Sequence, residues 1–146
     1  MFFDEKMMLD IRLNILDKYV THFVICEAKF NHKGKSKKLN FNIGDYPKFK
    51  KKISYIVLET EPENLRKILD KDSENTRNSK ILDNALIREN YQRNFISDFL
   101  EKFSDEDLIL INDLDEIPNL KNFKYKNKIT IFKQKMFYYK LNLMQP

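Results

Sequence analysis

Along the chain, apolar residues fall into two rhythms, one helical and one extended, and the two alternate. After the acids Asp4 and Glu5, apolar positions at Met8, Ile11, Ile15 and Leu16 keep the spacing of one helix face, and the acids sit where a helix start favours negative charge. The run "YVTHFVICE", closing on Glu27, has the pattern of a strand buried on both faces of a parallel sheet. "KFNHKGKSKK" reads as a basic loop turning at Gly34, and "KLNFNI" alternates like an exposed strand. "ISYIVLE", Ile53 to Glu59, is a second buried-type strand. Pro62 opens a short helical segment through Lys71, and "KDSENTRNS", which has no apolar residue, reads as a surface loop. Leu82, Ala85, Leu86, Phe95, Ile96, Phe99 and Phe103 then mark a long amphipathic helix. It feeds a further strand, "DLILIN", and two extended runs follow, "KITIF" and "KMFYYKLNL".

Strands alternating with helices predict an α/β domain with a mostly parallel sheet flanked by helices. The 146 residues suit one domain, and neither an internal repeat nor a Gly-rich or Pro-rich linker divides them. Ligands of such sheets bind beyond the carboxyl ends of the strands, near a switch in strand order, where strands ending at Glu27 and Asp113 would converge.

Composition adds limits. With 34% charged and 13% aromatic residues the chain is globular. No apolar run reaches the roughly 18 residues that span a bilayer, and the Met1 end carries acids where a secretory signal carries bases, so no membrane partner and a cytoplasmic location are expected. The one cysteine, Cys26, has no internal disulfide partner and reads as a small buried hydrophobe in a reducing compartment. A net charge of +5 is compatible with anionic ligands in general and does not choose among them.

The chemistry concentrates in "LILINDLDEIP". Asp113 and Asp115 are two apart, so on an extended chain their carboxylates share a side and can share one hard cation, Mg²⁺ or Mn²⁺, which would bring a diphosphate with it. Asp-x-Asp alone also occurs in solvated turns. Glu116 is the nearest further carboxylate, but it should point away from the pair, and no catalytic base is assigned. On the long helix Glu89 and Arg93 are spaced to pair with each other. His22 and His32 lack zinc-ligand spacing. There is neither a Gly-rich phosphate loop nor a nucleophile elbow. Lysines 33, 35, 37 and 38, and 48, 50, 51 and 52, read as solvated loops that could also meet phosphates. Two rival functions fit the same residues. One is a haloacid-dehalogenase-like phosphatase with Asp113 as nucleophile, which the mere 31 residues after Asp115 disfavour. The other is a non-catalytic basic module binding nucleic acid or acidic glycan.

Taken in order, "FFDEKMMLDIRLNIL", "FVICEAKFNHKGKSKKLNF", "RENYQRNFI", "DLILINDLDEIP" and "FYYKLNLMQP" resemble glycosyltransferase family 17, the family of the β-1,4-mannosyl-glycoprotein β-1,4-N-acetylglucosaminyltransferase. "DEIP" after Asp-x-Asp is the most specific of these blocks. The resemblance implies a GT-A-like fold, a nucleotide-sugar donor, with UDP-GlcNAc expected, a glycan acceptor, no nucleic acid, and inversion at the anomeric carbon. By carry-over Asp115 ligates Mn²⁺ or Mg²⁺, Asp113 touches the metal or the ribose, Glu27 lies beside the nucleoside, and Arg93 faces the donor from its helix. Ala28 stands where the family has Ser, and Ser36 where Pro is common. The family also has a strand before "FFDE" and a long stretch after "QP". The fold is therefore expected to be incomplete at both ends, a fragment or reduced homologue that keeps the donor site.

Overall fold

A computed structural model describes residues 1–137 and 144. Its centre is a parallel pair of strands, β1 (Phe23–Ala28) and β2 (Ile53–Leu58), in register from Phe23 beside Ile53 to Ala28 beside Leu58. Alternation along β1 sends Phe23, Ile25 and Glu27 to one face and Cys26 and Ala28 to the other. Helix α1 (Lys6–Leu16) covers the first face through Leu9, Leu13 and Leu16, joined by Phe41, Tyr46 and Phe49. Helix α2 (Glu74–Leu100) covers the second, with Tyr91 and Phe95 against Ala28, Phe30 and Leu58. Burial on both faces explains why β1 carries almost no polar residue, and the α/β class and parallel pairing agree with the sequence pattern. The sheet of the described residues has two strands, fewer than expected.

Several local expectations are corrected. Helix α1 buries Leu9, Leu13 and Leu16 and leaves Ile11 and Ile15 at 40% and 47% exposure. It carries apolar residues on two opposite faces, so spacing alone could not select the phase. The first strand begins at Phe23 rather than Tyr19. The chain first closes α1, with the amides of Tyr19 and Val20 on the Leu16 carbonyl and Lys52 Nζ on the carbonyls of Asp17 and Val20. "KLNFNI" forms no strand, because the Asn40 and Phe41 amides donate to the Glu27 carboxylate instead of to a neighbouring strand. The segment from Pro62 to Lys71 is not helical. Asn84 of α2 holds it by a two-point clamp, accepting from the Arg66 amide at 2.8 Å and donating to the Arg66 carbonyl at 2.9 Å. Helix α2 starts inside the expected loop, since Ser73 caps it by accepting from the Thr76 amide, and its polar first turns face water.

Beyond α2, "DLILIN" and "KITIF" are not strands. Leu108, Ile109 and Ile111 are 63%, 48% and 77% exposed, and only Leu110 turns onto the core with Leu114, Ile117 and Leu120. Ile129 and Ile131 are exposed as well. Of "KMFYYKLNL", Phe137 bridges Met144 in antiparallel fashion, and residues 138–143 lie outside the described residues. Among the described residues no helix is long and apolar enough to cross a membrane.

Candidate active site

The carboxyl end of β1 opens on a cavity of about 430 Å³. Phe2, Phe3, Met8 and Leu114 give it an apolar wall, and Lys37, Arg88, Gln92, Asp113 and Asp115 add polar groups. Both sequence-expected metal ligands therefore border one space.

The turn that carries them departs from the extended form expected. The Glu116 amide donates to the Asp113 carbonyl at 3.1 Å and the Asp113 amide to Glu116 Oε2 at 3.1 Å, so residues 113–116 form a closed turn after an unpaired approach. Strand alternation therefore does not bring the two acids together; what they share is the cavity wall. Glu116 is folded back on this turn and does not border the cavity. The Asp115 carboxylate is exposed and has no hydrogen-bond or ion-pair partner among the described residues, and Asp113 uses only Oδ1, to Arg93.

Two arginines define the turn from outside. Arg93 Nη2 of α2 lies 3.0 Å from Asp113 Oδ1 and 2.9 Å from Glu89 Oε1, so the expected Glu89–Arg93 pair forms and Asp113 joins it. Arg12 of α1 donates from Nη1 to the carbonyls of Asp113 at 2.9 Å, Leu114 at 3.3 Å and Glu116 at 2.9 Å, and from Nη2 to Asn112 Oδ1. Burial lowers the pKa of this guanidinium, while Glu116, Asp115 and Asp113 oppose the shift. Sequence reasoning missed Arg12. Its signal is a lone cation beside the leucine face of α1, visible only once the helix phase is known.

Glu27 is fully buried on the α1 face. Its four acceptor positions are taken by Lys37 Nζ, the Asn40 amide at 2.9 Å, the Phe41 amide at 3.1 Å and the Tyr55 hydroxyl at 2.9 Å. Burial would raise the pKa of this carboxyl, but the four donors outweigh it and hold the pKa below the ordinary glutamate value. The same contact pushes the Tyr55 hydroxyl upward, after burial. Glu27 itself does not line the cavity, whereas Lys37, which it grips, does. Lys37 is thus the only one of the expected loop lysines that reaches the cavity wall.

Helix α2 contributes two more fixings. Arg88 donates to Glu61 Oε2 at 2.8 and 3.2 Å and to the His32 carbonyl at 3.1 Å, tying the basic loop to the helix. Gly34 turns that loop with φ +76°, and a side chain there would meet the Arg88 guanidinium. Gln92 donates to the Cys26 carbonyl at 3.1 Å, and burial pushes the Cys26 thiol up to about 11.

A family model for Glycosyltransferase family 17 matches residues 1–143. The chain belongs to glycosyltransferase family 17. It is a glycosyltransferase, and its cavity at the sheet edge is the candidate site for a nucleotide-sugar donor and a glycan acceptor. Family-17 membership sets aside the phosphatase and the non-catalytic basic module as primary readings. No curated protein and no solved structure matches the chain.

Proposed function

We propose that this family-17 enzyme is a metal-dependent, inverting transferase on a GT-A-like scaffold, moving N-acetylglucosamine from UDP-GlcNAc to a glycan acceptor. The observation that carries the reading is the placement of Asp113 and Asp115 on one closed turn at the wall of a cavity that Lys37 and Arg88 also border. The cavity volume lies within the range of about 300–1,000 Å³ usual for small-ligand sites.

The donor set fits Mn²⁺ or Mg²⁺. Only carboxylate oxygens are on offer, and among the described residues no group of three or more His, Cys, Asp or Glu forms a closed cage. Hard cations of this kind are held by one or two carboxylates, with water and substrate phosphate oxygens completing the shell. A bound ion would supply charge neutralisation for the departing diphosphate. The chain's own residues do the rest. Asp115 and the open oxygen of Asp113 present ligands to the cavity, and Arg93, which does not line the cavity itself, holds the other oxygen of Asp113. Glu27 acts from behind the wall by holding Lys37, which borders the cavity. Phe2, Phe3 and Leu114 supply apolar surface for the nucleoside, and immobilising donor and acceptor together lowers the entropic part of the barrier.

The test is a panel of nucleotide sugars assayed by thermal shift with Mn²⁺, followed by NMR of the product's anomeric proton. The largest shift should come from UDP-GlcNAc, and the new linkage should have the configuration opposite to that of the donor. An equal response to GDP-mannose would remove the donor assignment, and a retained configuration would remove inversion.

A further inference from the structure

We infer that Arg12 is the positioning residue of the Asn112–Glu116 turn, holding Asp113 and Asp115 in a cation-binding arrangement; this rests on the reading of those two carboxylates as metal ligands.

The pattern of its contacts carries the inference. Three carboxylates, those of Asp113, Asp115 and Glu116, lie close enough to act on Arg12 electrostatically. Yet its hydrogen bonds go to three main-chain carbonyls and one amide oxygen. An arginine placed to neutralise the acids would take their side chains. This one takes the backbone beneath them and leaves the carboxylates to the cavity. Residues 112–116 belong to no helix or strand; the Asp113 and Glu116 carbonyls each accept one bond from within the turn, from the Glu116 amide and Asn112 Nδ2, and Arg12 is what ties those carbonyls and that of Leu114 to the rest of the fold. A planar fork of five N–H donors can serve four acceptors at once, which a lysine ammonium with three cannot.

The mounting is rigid. Arg12 stands on α1 beside the face formed by Leu9, Leu13 and Leu16, each no more than 2% exposed, and Lys52 pins the helix end. Through Arg12 the acid turn is therefore fixed to the sheet core, although about a hundred residues of chain separate the two. Ligands held by packed elements keep the geometry that a loop alone would lose.

Charge and position make opposite demands, which yields a decisive experiment. Removing a cation beside a metal site should tighten metal binding by Coulomb's law, whereas loosening the turn should weaken it. Mn²⁺ affinity is measured by electron paramagnetic resonance for the wild type, Arg12→Ala and Arg12→Lys, the last of which keeps the charge. Expected is a loss of roughly tenfold or more in Arg12→Ala, partly recovered by added guanidinium ion, and a smaller loss in Arg12→Lys. Binding by Arg12→Ala or Arg12→Lys as tight as the wild type overturns the inference. Amide hydrogen exchange at Asp113 and Glu116 gives an independent readout: it should quicken in Arg12→Lys, which keeps the charge, and unchanged exchange also overturns it. If the wild type binds no Mn²⁺, the metal reading of the site fails, and the exchange rates alone decide the role of Arg12.

Discussion

Arg93 Nη2 stands 3.0 Å from Asp113 Oδ1, joining the middle of α2 to the acid turn across twenty residues of sequence. The same nitrogen holds Glu89 at 2.9 Å, so one guanidinium is shared by two carboxylates. All three side chains are a third to a half exposed, and such a pair adds at most about 1 kcal/mol to folding. Its value is local orientation at the cavity. Arg93→Ala should lower the melting temperature by no more than a few degrees while weakening UDP binding about tenfold in the presence of Mn²⁺. Calorimetric titration beside a thermal melt separates the two. A large loss of stability with unchanged UDP affinity would make Arg93 a purely structural residue.

The buried Glu27 network behaves differently. Replacing Glu27 by Gln leaves Lys37 without its anion and should cost about 3 kcal/mol at neutral pH. Four donors hold the folded pKa below the ordinary value of 4.5. The carboxylate therefore contributes stability that is fully present above that value and is lost as pH falls through the lower folded pKa. Urea unfolding of the wild type and Glu27→Gln should show a gap that is constant from neutral pH down to about pH 5 and narrows as pH falls below the ordinary glutamate value. A gap that widens on acidification would mean that the carboxyl is not held ionised.

Gly34 tests the link between the basic loop and α2. At φ +76° any L side chain is strained, and an alanine Cβ would fall on the Arg88 guanidinium and 2.7 Å from Glu61 Oε1. Gly34→Ala should destabilise the protein by about 1–3 kcal/mol. It should also raise the Kd for UDP–Mn²⁺, because Arg88 borders the cavity. Arg88→Ala in the same background should remove part of the clash and return some stability, a non-additive result that a double-mutant cycle would reveal. Strict additivity would contradict the contact.

Much of this layout is legible in the sequence because burial writes a strong pattern. The apolar run of β1 needs both faces covered and β2 pairs beside it, so the α/β class and parallel pairing follow, although β2, expected to be buried as well, is half-buried from Ile53 to Val57 and fully buried only at Leu58. The acids at 113 and 115 stand out because a short apolar run precedes them. What the pattern could not reveal lies in polar side chains that replace secondary structure. Glu27 takes the amides that would have made a strand of Asn40 and Phe41, and Asn84 fixes Arg66 without a helix. Spacing also could not choose between the two apolar faces of α1, and that choice decides whether Arg12 meets the acid turn. "DLILIN" has the composition of a strand, but pairing depends on a neighbour's edge, which local sequence does not encode.

The central claim is that the Asp113–Glu116 turn captures a divalent ion and, with it, a nucleoside diphosphate. Calorimetric titration of UDP into the protein in EDTA and in Mn²⁺, repeated with Asp115→Ala, tests it most directly. UDP binding that requires Mn²⁺ in the wild type and disappears in Asp115→Ala is the expected result. UDP affinity indifferent to Mn²⁺, or the same in Asp115→Ala as in the wild type, would contradict it.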